Sequence, residues 1–332
     1  MRETEKAPDM RRAALAGLRK YQEAPRPAPR PPRPVHAAVG QARLLHLGGA
    51  KPAAGRLPVV LVPSLVNSHD ILDLSEQSSL AAFLTRQGHD PWLIDWGMPA
   101  PEDSGLDLAG HIDRRLAPLI RSIGGPVVLV GYCLGGTLAI AAAQHCDAHA
   151  LAVIAAPWHF DRYPEADRTL LAKLWQDARP MCERFGYVPM EVLQSGFWGL
   201  DPARTIRKYA AFADMPEGSA AERAFLTVED WANEGAPLTY AAARDLFEGF
   251  YAANRPGLGT WRVGGRPVLA DALACPSLSI RSATDRIVPA AVAPTLGETL
   301  ESGLGHVGMI VSHKAPEQIW TPLSQWLSKR GG

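Results

Sequence analysis

The run Val127-Val128-Leu129-Val130 passes directly into Gly131-Tyr132-Cys133-Leu134-Gly135-Gly136. A β-branched apolar run ending in glycines around one nucleophile predicts a strand, a very tight turn and a helix. The turn leaves room only for small residues on either side. It holds the nucleophile in a strained backbone conformation, with its side chain above the sheet. Here the nucleophile is Cys133. A thiolate is more nucleophilic than a neutral hydroxyl and exchanges readily with thioesters. The pattern therefore points to acyl transfer from a thioester more than to ordinary ester hydrolysis. The competing reading is that Cys133 is only a small buried hydrophobe.

Other strand signals surround the elbow in alternating order. Val59-Val60-Leu61-Val62, bounded by Pro58 and Pro63, reads as a strand buried on both faces. Leu80, Phe83 and Leu84 have helical spacing, and Gly88 stops that helix. Strands are expected at 91–96, 148–155 and 277–280, with helices near 107–122 and 315–329. Between about 157 and 260 the pattern becomes aromatic-rich and helical, as an inserted cap would be. Strands alternating with helices imply a parallel sheet covered on both faces, with ligands bound beyond the carboxyl ends of the strands.

Near the start, residues 9–23 can form a helix. Pro25-Arg26-Pro27-Ala28-Pro29-Arg30-Pro31-Pro32-Arg33-Pro34 then predicts an extended arm with its arginines in solution, a linker or a docking arm. Residues 1–56 carry twelve Lys/Arg against four Asp/Glu, yet the formal net charge of the chain is zero, which argues against nucleic acid as the main partner. The four cysteines include no C-x-x-C pair, which suits reduced cytosolic thiols and gives no sign of a structural metal site. No apolar run is long enough for a membrane span, and Met1–Arg12 does not read as a secretory signal.

In this topology the catalytic partners follow the order nucleophile, acid, histidine. Asp285 lies just past the strand at 277–280, before Pro289, where the acid belongs. His306, in Gly303-Leu304-Gly305-His306-Val307-Gly308, precedes the last helix, where the base belongs. Read alone, either could be a structural loop residue. The backbone N–H of Leu134 is the first expected oxyanion donor. The loop Pro63-Ser64-Leu65-Val66-Asn67 should supply the second, with Leu65 ahead of Ser64. Asn67 is the candidate substrate contact; alternatively Ser64 and Asn67 only shape the turn.

These stretches together resemble the polyhydroxyalkanoate synthase family, most of all its class III catalytic subunits. The resemblance runs through Val62-Pro63, Val66-Asn67, Ile71-Leu72-Asp73-Leu74, Ile94-Asp95-Trp96-Gly97, the cysteine box, Gly264-Gly265-Arg266-Pro267, Cys275-Pro276, Asp285-Arg286-Ile287-Val288-Pro289 and Gly305-His306-Val307-Gly308. Ser68-His69-Asp70 and the cap stretch Asp230-Trp231-Ala232-Asn233-Glu234-Gly235 depart from the family pattern. The resemblance implies an α/β-hydrolase fold, a mostly parallel sheet with helices on both faces and an inserted mainly helical cap. The expected division is an N-terminal helix and Pro/Arg-rich arm over 1–55, a core over 56–156 and 262–332, and a cap over 157–261.

The activity implied is an acyltransferase that loads 3-hydroxyacyl groups from CoA thioesters onto Cys133 and passes them to a growing polyester. His306 would be its base and Asp285 the acidic partner of His306. No cofactor is expected, CoA entering only as part of the substrate. The cytoplasm, including the surface of polyester granules, is the expected location, and a homodimer or an accessory subunit is left open. Two other readings stand beside it: a cysteine-dependent thioesterase, esterase or depolymerase, and an inactive granule-associated binding protein.

Overall fold

A computed structural model describes residues 7–26, 30–48, 55–200 and 202–331. Its centre is an eight-stranded sheet. The strands are β1 (Val35–Val39), β2 (Ala42–His46), β3 (Pro58–Val62), β4 (Asp90–Asp95), β5 (Val127–Tyr132), β6 (Ala148–Ile154), β7 (Ser277–Ser282) and β8 (Glu298–Ser302). Their spatial order is β1-β2-β4-β3-β5-β6-β7-β8. Pairing is antiparallel from β1 to β2 and from β2 to β4, and parallel across the rest of the sheet.

The apolar runs explain the parallel part. In β3, Val60 and Val62 join one hydrophobic layer, and Val59 and Leu61 join the layer on the other face. The first layer includes Leu138 and Ile140 of the helix Leu134–Ala143; the second includes Ile319, Leu323 and Leu327 near the C-terminus. Each fully buried side chain of this kind contributes ~1.5–3 kcal/mol. In the last helix, Ile319, Trp320, Leu323, Trp326 and Leu327 are all buried.

Strands β1 and β2 fall within the stretch that the sequence reading assigned to helix and arm. They form a hairpin around Gly40, at φ +59°, and Gln41. The hairpin continues the sheet past β4.

The expectation of arm arginines in solution is corrected. Arg26 pairs with Asp230, and Arg30 and Arg33 both pair with the buried Asp73. Each guanidinium is only about one-third exposed. A carboxylate inside the fold lowers its energy by recruiting charged donors, here Nη1 of Arg30 on Oδ1 and Nε and Nη2 of Arg33 on Oδ2, so the arm adheres instead of floating. Pro27, Ala28 and Pro29 lie outside the described residues.

Between β6 and β7 the chain forms helices Glu165–Phe185, Met190–Leu200, Pro202–Ala213 and Ala220–Asn233, then a helical turn from Tyr240 running on to Ala252. The N-terminal helix Pro8–Glu23 packs along Pro202–Ala213. Gly17 marks their closest approach: a Cβ there would stand 1.8 Å from the carbonyl oxygen of Tyr209. Among the described residues no helix is long and apolar enough to cross a membrane.

Candidate active site

Cys133 sits between β5 and the following helix with φ 55° and ψ −131°. L-residues avoid this conformation because of their Cβ. Its N–H donates to the carbonyl of Ile154 at 2.9 Å, and its carbonyl accepts from the N–H of Gly136 at 2.8 Å. The glycines around it are steric requirements. A Cβ on Gly131 would fall 2.4 Å from Gly136 Cα, and one on Gly135 would fall 2.3 Å from the carbonyl oxygens of Val62 and Pro63. The second contact also places the end of β3 directly against the start of the elbow helix. The backbone of Pro63, where the loop begins, therefore lies against the helix at Gly135, the residue after Leu134.

Asp285 and His306 come from the loops after β7 and β8, which run parallel and adjacent. Thr284 joins the two loops, its hydroxyl donating to the carbonyl of Gly303 at 2.8 Å. Asp285 Oδ1 accepts from the N–H groups of Ile287 and Val288 at 2.8 and 2.9 Å. Its Oδ2 lies 2.7 Å from His306 Nδ1. Both side chains are buried. With Nδ1 engaged on Asp285, Nε2 is left to face Cys133, which is close enough to bear on the charge of the ring. Burial alone would push the imidazole down. The charges of Asp285 and Cys133 and the hydrogen bond to Asp285 outweigh it and lift His306 to about 10. Tyr132 lies against the imidazole with ring centroids 5.2 Å apart. The structure thus brings together the three residues singled out as nucleophile, base and acid.

The other candidates divide. Leu134 opens the elbow helix. Leu65 is buried in the loop, where the N–H of Val66 donates to Ser64 Oγ at 3.0 Å and shapes the turn. Asn67 reaches across to the helical segment between β6 and β7. Its Nδ2 donates to the carbonyls of Trp231, Ala232 and Glu234 at 3.3, 3.1 and 3.2 Å. These bonds clasp the loop to the backbone of residues 231–234. The φ of Asn67, 67°, places it in the left-handed region that asparagine tolerates.

Sequence reasoning noted Ile94-Asp95-Trp96-Gly97 without assigning it work. The Trp96 indole donates to the Pro63 carbonyl at 3.0 Å and fixes the start of the loop. Asp95 is buried and accepts from Arg43 Nε at 2.8 Å and from Gly97 N–H at 2.9 Å; His69 Nδ1 lies 3.2 Å from it. Burial alone would raise Asp95, but His69, the Gly97 N–H and Arg43 hold it down at about 2. His69 is desolvated too, and its hydrogen bond and charge contact with Asp95 leave it raised. His89 bonds Ser324 and His111 bonds the Asp107 carbonyl. Among the described residues no group of three or more His, Cys, Asp or Glu is arranged to hold a metal.

The profile of the alpha/beta hydrolase family matches residues 59–319. The chain belongs to the alpha/beta hydrolase family. Within it, the resemblance drawn from the motifs extends along most of the chain. The poly(3-hydroxyalkanoate) polymerase subunit PhaC of Haloferax mediterranei is 27% identical over 320 residues, covering 90% of this chain and 64% of that one. The same subunit of Haloarcula marismortui is 27% identical, covering 82% and 61%. That of Allochromatium vinosum is 29% identical, covering 84% and 82%. The chain therefore spans a little under two thirds of the two haloarchaeal relatives and about four fifths of the third. Among alpha/beta hydrolases of known structure, a monoacylglycerol lipase from Paleococcus ferrophilus superposes with a TM-score of 0.54 at 15% identity, covering 87% of this chain and 99% of that one. A carboxylesterase from Nitrososphaera gargenis gives 0.54 at 15% identity, covering 89% and 99%. These two share the fold.

Proposed function

We propose that the protein is a polyhydroxyalkanoate synthase, using Cys133, His306 and Asp285 to move 3-hydroxyacyl groups from CoA thioesters into a polyester. The observation that carries this is a cysteine, in place of the usual serine, on a strained elbow beside a buried His–Asp pair, in a chain related to polymerase subunits.

Nε2 of His306 takes the Cys133 thiol proton, and the thiolate attacks the thioester carbonyl carbon. The oxyanion meets the N–H of Leu134 and a donor from the loop, for which Leu65 is the candidate; one such donor is worth ~3–4 kcal/mol in other enzymes. The intermediate collapses, the carbon–sulfur bond to CoA breaks, and His306 returns the proton to the CoA thiolate. The acyl group is now on Cys133. His306 next accepts the proton of the 3-hydroxyl of another unit, whose oxygen attacks the Cys133 acyl carbon. The new ester forms and the Cys133 sulfur leaves, regaining its proton. Asp285 orients His306 and favours its charged form. The cap's part is to exclude water, which would turn transfer into hydrolysis. An insoluble polyester product would keep the enzyme at a granule surface.

The test is purified protein with 3-hydroxybutyryl-CoA, following CoA release and product size together. Polymer or oligomer is expected, and free hydroxy acid as the sole product overturns the transferase reading. Cys133→Ala should retain no covalent acyl label, and label surviving in that variant overturns the nucleophile.

A further inference from the structure

The loop after β3 is held at both ends by the N-terminal segment. At its far end, Asp73 Oδ2 accepts from Arg33 Nε and Nη2 at 2.9 and 2.6 Å. Its Oδ1 accepts from Arg30 Nη1 at 2.9 Å and Ser79 Oγ at 2.6 Å, and Arg30 also reaches the Asp73 carbonyl. At the near end the grip passes through the cap. Arg26 donates to both oxygens of Asp230 at 2.8 and 3.0 Å, and Tyr21 donates to Oδ1 at 2.6 Å. The next residue, Trp231, donates its indole N–H to the Ser68 carbonyl at 2.8 Å, and Asn67 returns three hydrogen bonds to residues 231–234. Upstream, Lys20 pairs with Glu222 at 3.3 Å and anchors the helix to the cap.

We propose that residues 21–26, with Arg30 and Arg33, act as a positioning strap that sets the geometry of Leu65–Asn67, in the loop that begins against the elbow helix. The proposal rests on reading that loop as the partner of Leu134 in the oxyanion hole. Forked Arg–carboxylate bonds resist sliding as well as separation, so they fix a loop in a way a single charge does not. Oxyanion donors act through placement; a shift of about 1 Å lowers turnover ~100-fold. The aspartates gripped by the strap do not touch Cys133, yet the loop between them does the stabilising.

The experiment uses the whole chain and p-nitrophenyl acetate, which acylates a cysteine through an oxyanion without needing CoA. Arg30→Ala/Arg33→Ala and Asn67→Gly are the variants; glycine keeps the left-handed backbone while removing the clasp. Each should acylate at least ~10-fold more slowly. Iodoacetamide alkylation of Cys133, which forms no oxyanion, should stay within about twofold across its pH profile. Arg30→Lys/Arg33→Lys should recover only part of the loss, because lysine keeps the charge without the fork. Combining the arginine and asparagine changes should add little, both acting through one loop. Unchanged acylation, acylation and alkylation falling together, or a wild type that p-nitrophenyl acetate does not acylate each overturns the strap. If the arginine variant does not fold, Asn67→Gly and Arg26→Ala decide on the same readouts. Polymer formation from 3-hydroxybutyryl-CoA plays no part in this test, so free hydroxy acid as the product there overturns the transferase reading and leaves the strap standing, whereas acyl label surviving in Cys133→Ala overturns both.

Discussion

At Cys133 the backbone at φ 55° carries strain of ~1–3 kcal/mol, held by the strand, the helix and the close-packed glycines around it. Removing the sulfur does not remove that strain; removing the Cβ does. Cys133→Gly is therefore expected to be more stable than Cys133→Ala by about 1 kcal/mol in chemical denaturation, both variants being inactive. The reverse order would mean the elbow is relaxed. Against the downward push of burial, Asp285 and Cys133 lift His306 from its ordinary 6.5 to about 10 in the fold. A raised pKa contributes stability in full below about 6.5, and that contribution declines as pH rises and is gone above about 10. The melting temperature should accordingly drop between pH 6.5 and 10, and Asp285→Asn, which removes a main cause of the shift, should flatten that part of the curve. An equal slope in the variant refutes the coupling.

Elements are where the glycines and the Asp95 cluster act. Gly135→Ala drives a Cβ into the carbonyls at the end of β3. Neither backbone can yield without separating the loop from the elbow, so loss of soluble protein or of acylation is expected, whereas Gly105→Ala, with open space around its Cβ, should behave as wild type. Asp95, held at about 2, contributes stability above the ordinary carboxylate range that is lost as pH falls through about 2. His69, raised above 6.5, contributes below that value and loses it as pH climbs. Their pairing is complete between about 4 and 6.5. The stability difference between wild type and His69→Asn should be largest near pH 5 and smaller at pH 8; a difference independent of pH would leave His69 without an ionic role. The Ile94-Asp95-Trp96-Gly97 stretch was visible as a motif, but its work was not. That Trp96 reaches Pro63 depends on β3 and β4 lying side by side, a pairing the local sequence does not state.

Over the whole molecule, the N-terminal region does two separable things. Residues 35–46 complete the sheet, and residues 8–26, with Arg30 and Arg33, bind the cap to the loop after β3. Deleting 1–34 should leave a folded protein with slowed acylation. Deleting 1–47 uncovers the edge of β4 and should give aggregation, an exposed strand edge being a template for pairing. Size-exclusion chromatography of both separates the outcomes, and two equally soluble truncations would contradict the edge-strand argument. The hairpin escaped sequence reading because Val35–Val39 and Ala42–His46 are short, with mixed burial and no continuous apolar run.

The chain's own order of residues was enough to announce the parallel strands, the elbow, and the Asp285 and His306 loops. Those signals are local: side-chain size, apolar runs and glycine spacing act within a few residues and need no knowledge of the rest. What only the tertiary structure decided is how distant charges meet. Nothing near Arg30 or Arg33 in sequence foretells Asp73, and nothing near Asn67 foretells the carbonyls of 231–234. Charged and amide groups take whichever partner the folded topology brings within hydrogen-bond reach. The Pro/Arg-rich arm, extended by its own prolines, becomes a fastening only because the fold turns a buried carboxylate toward it.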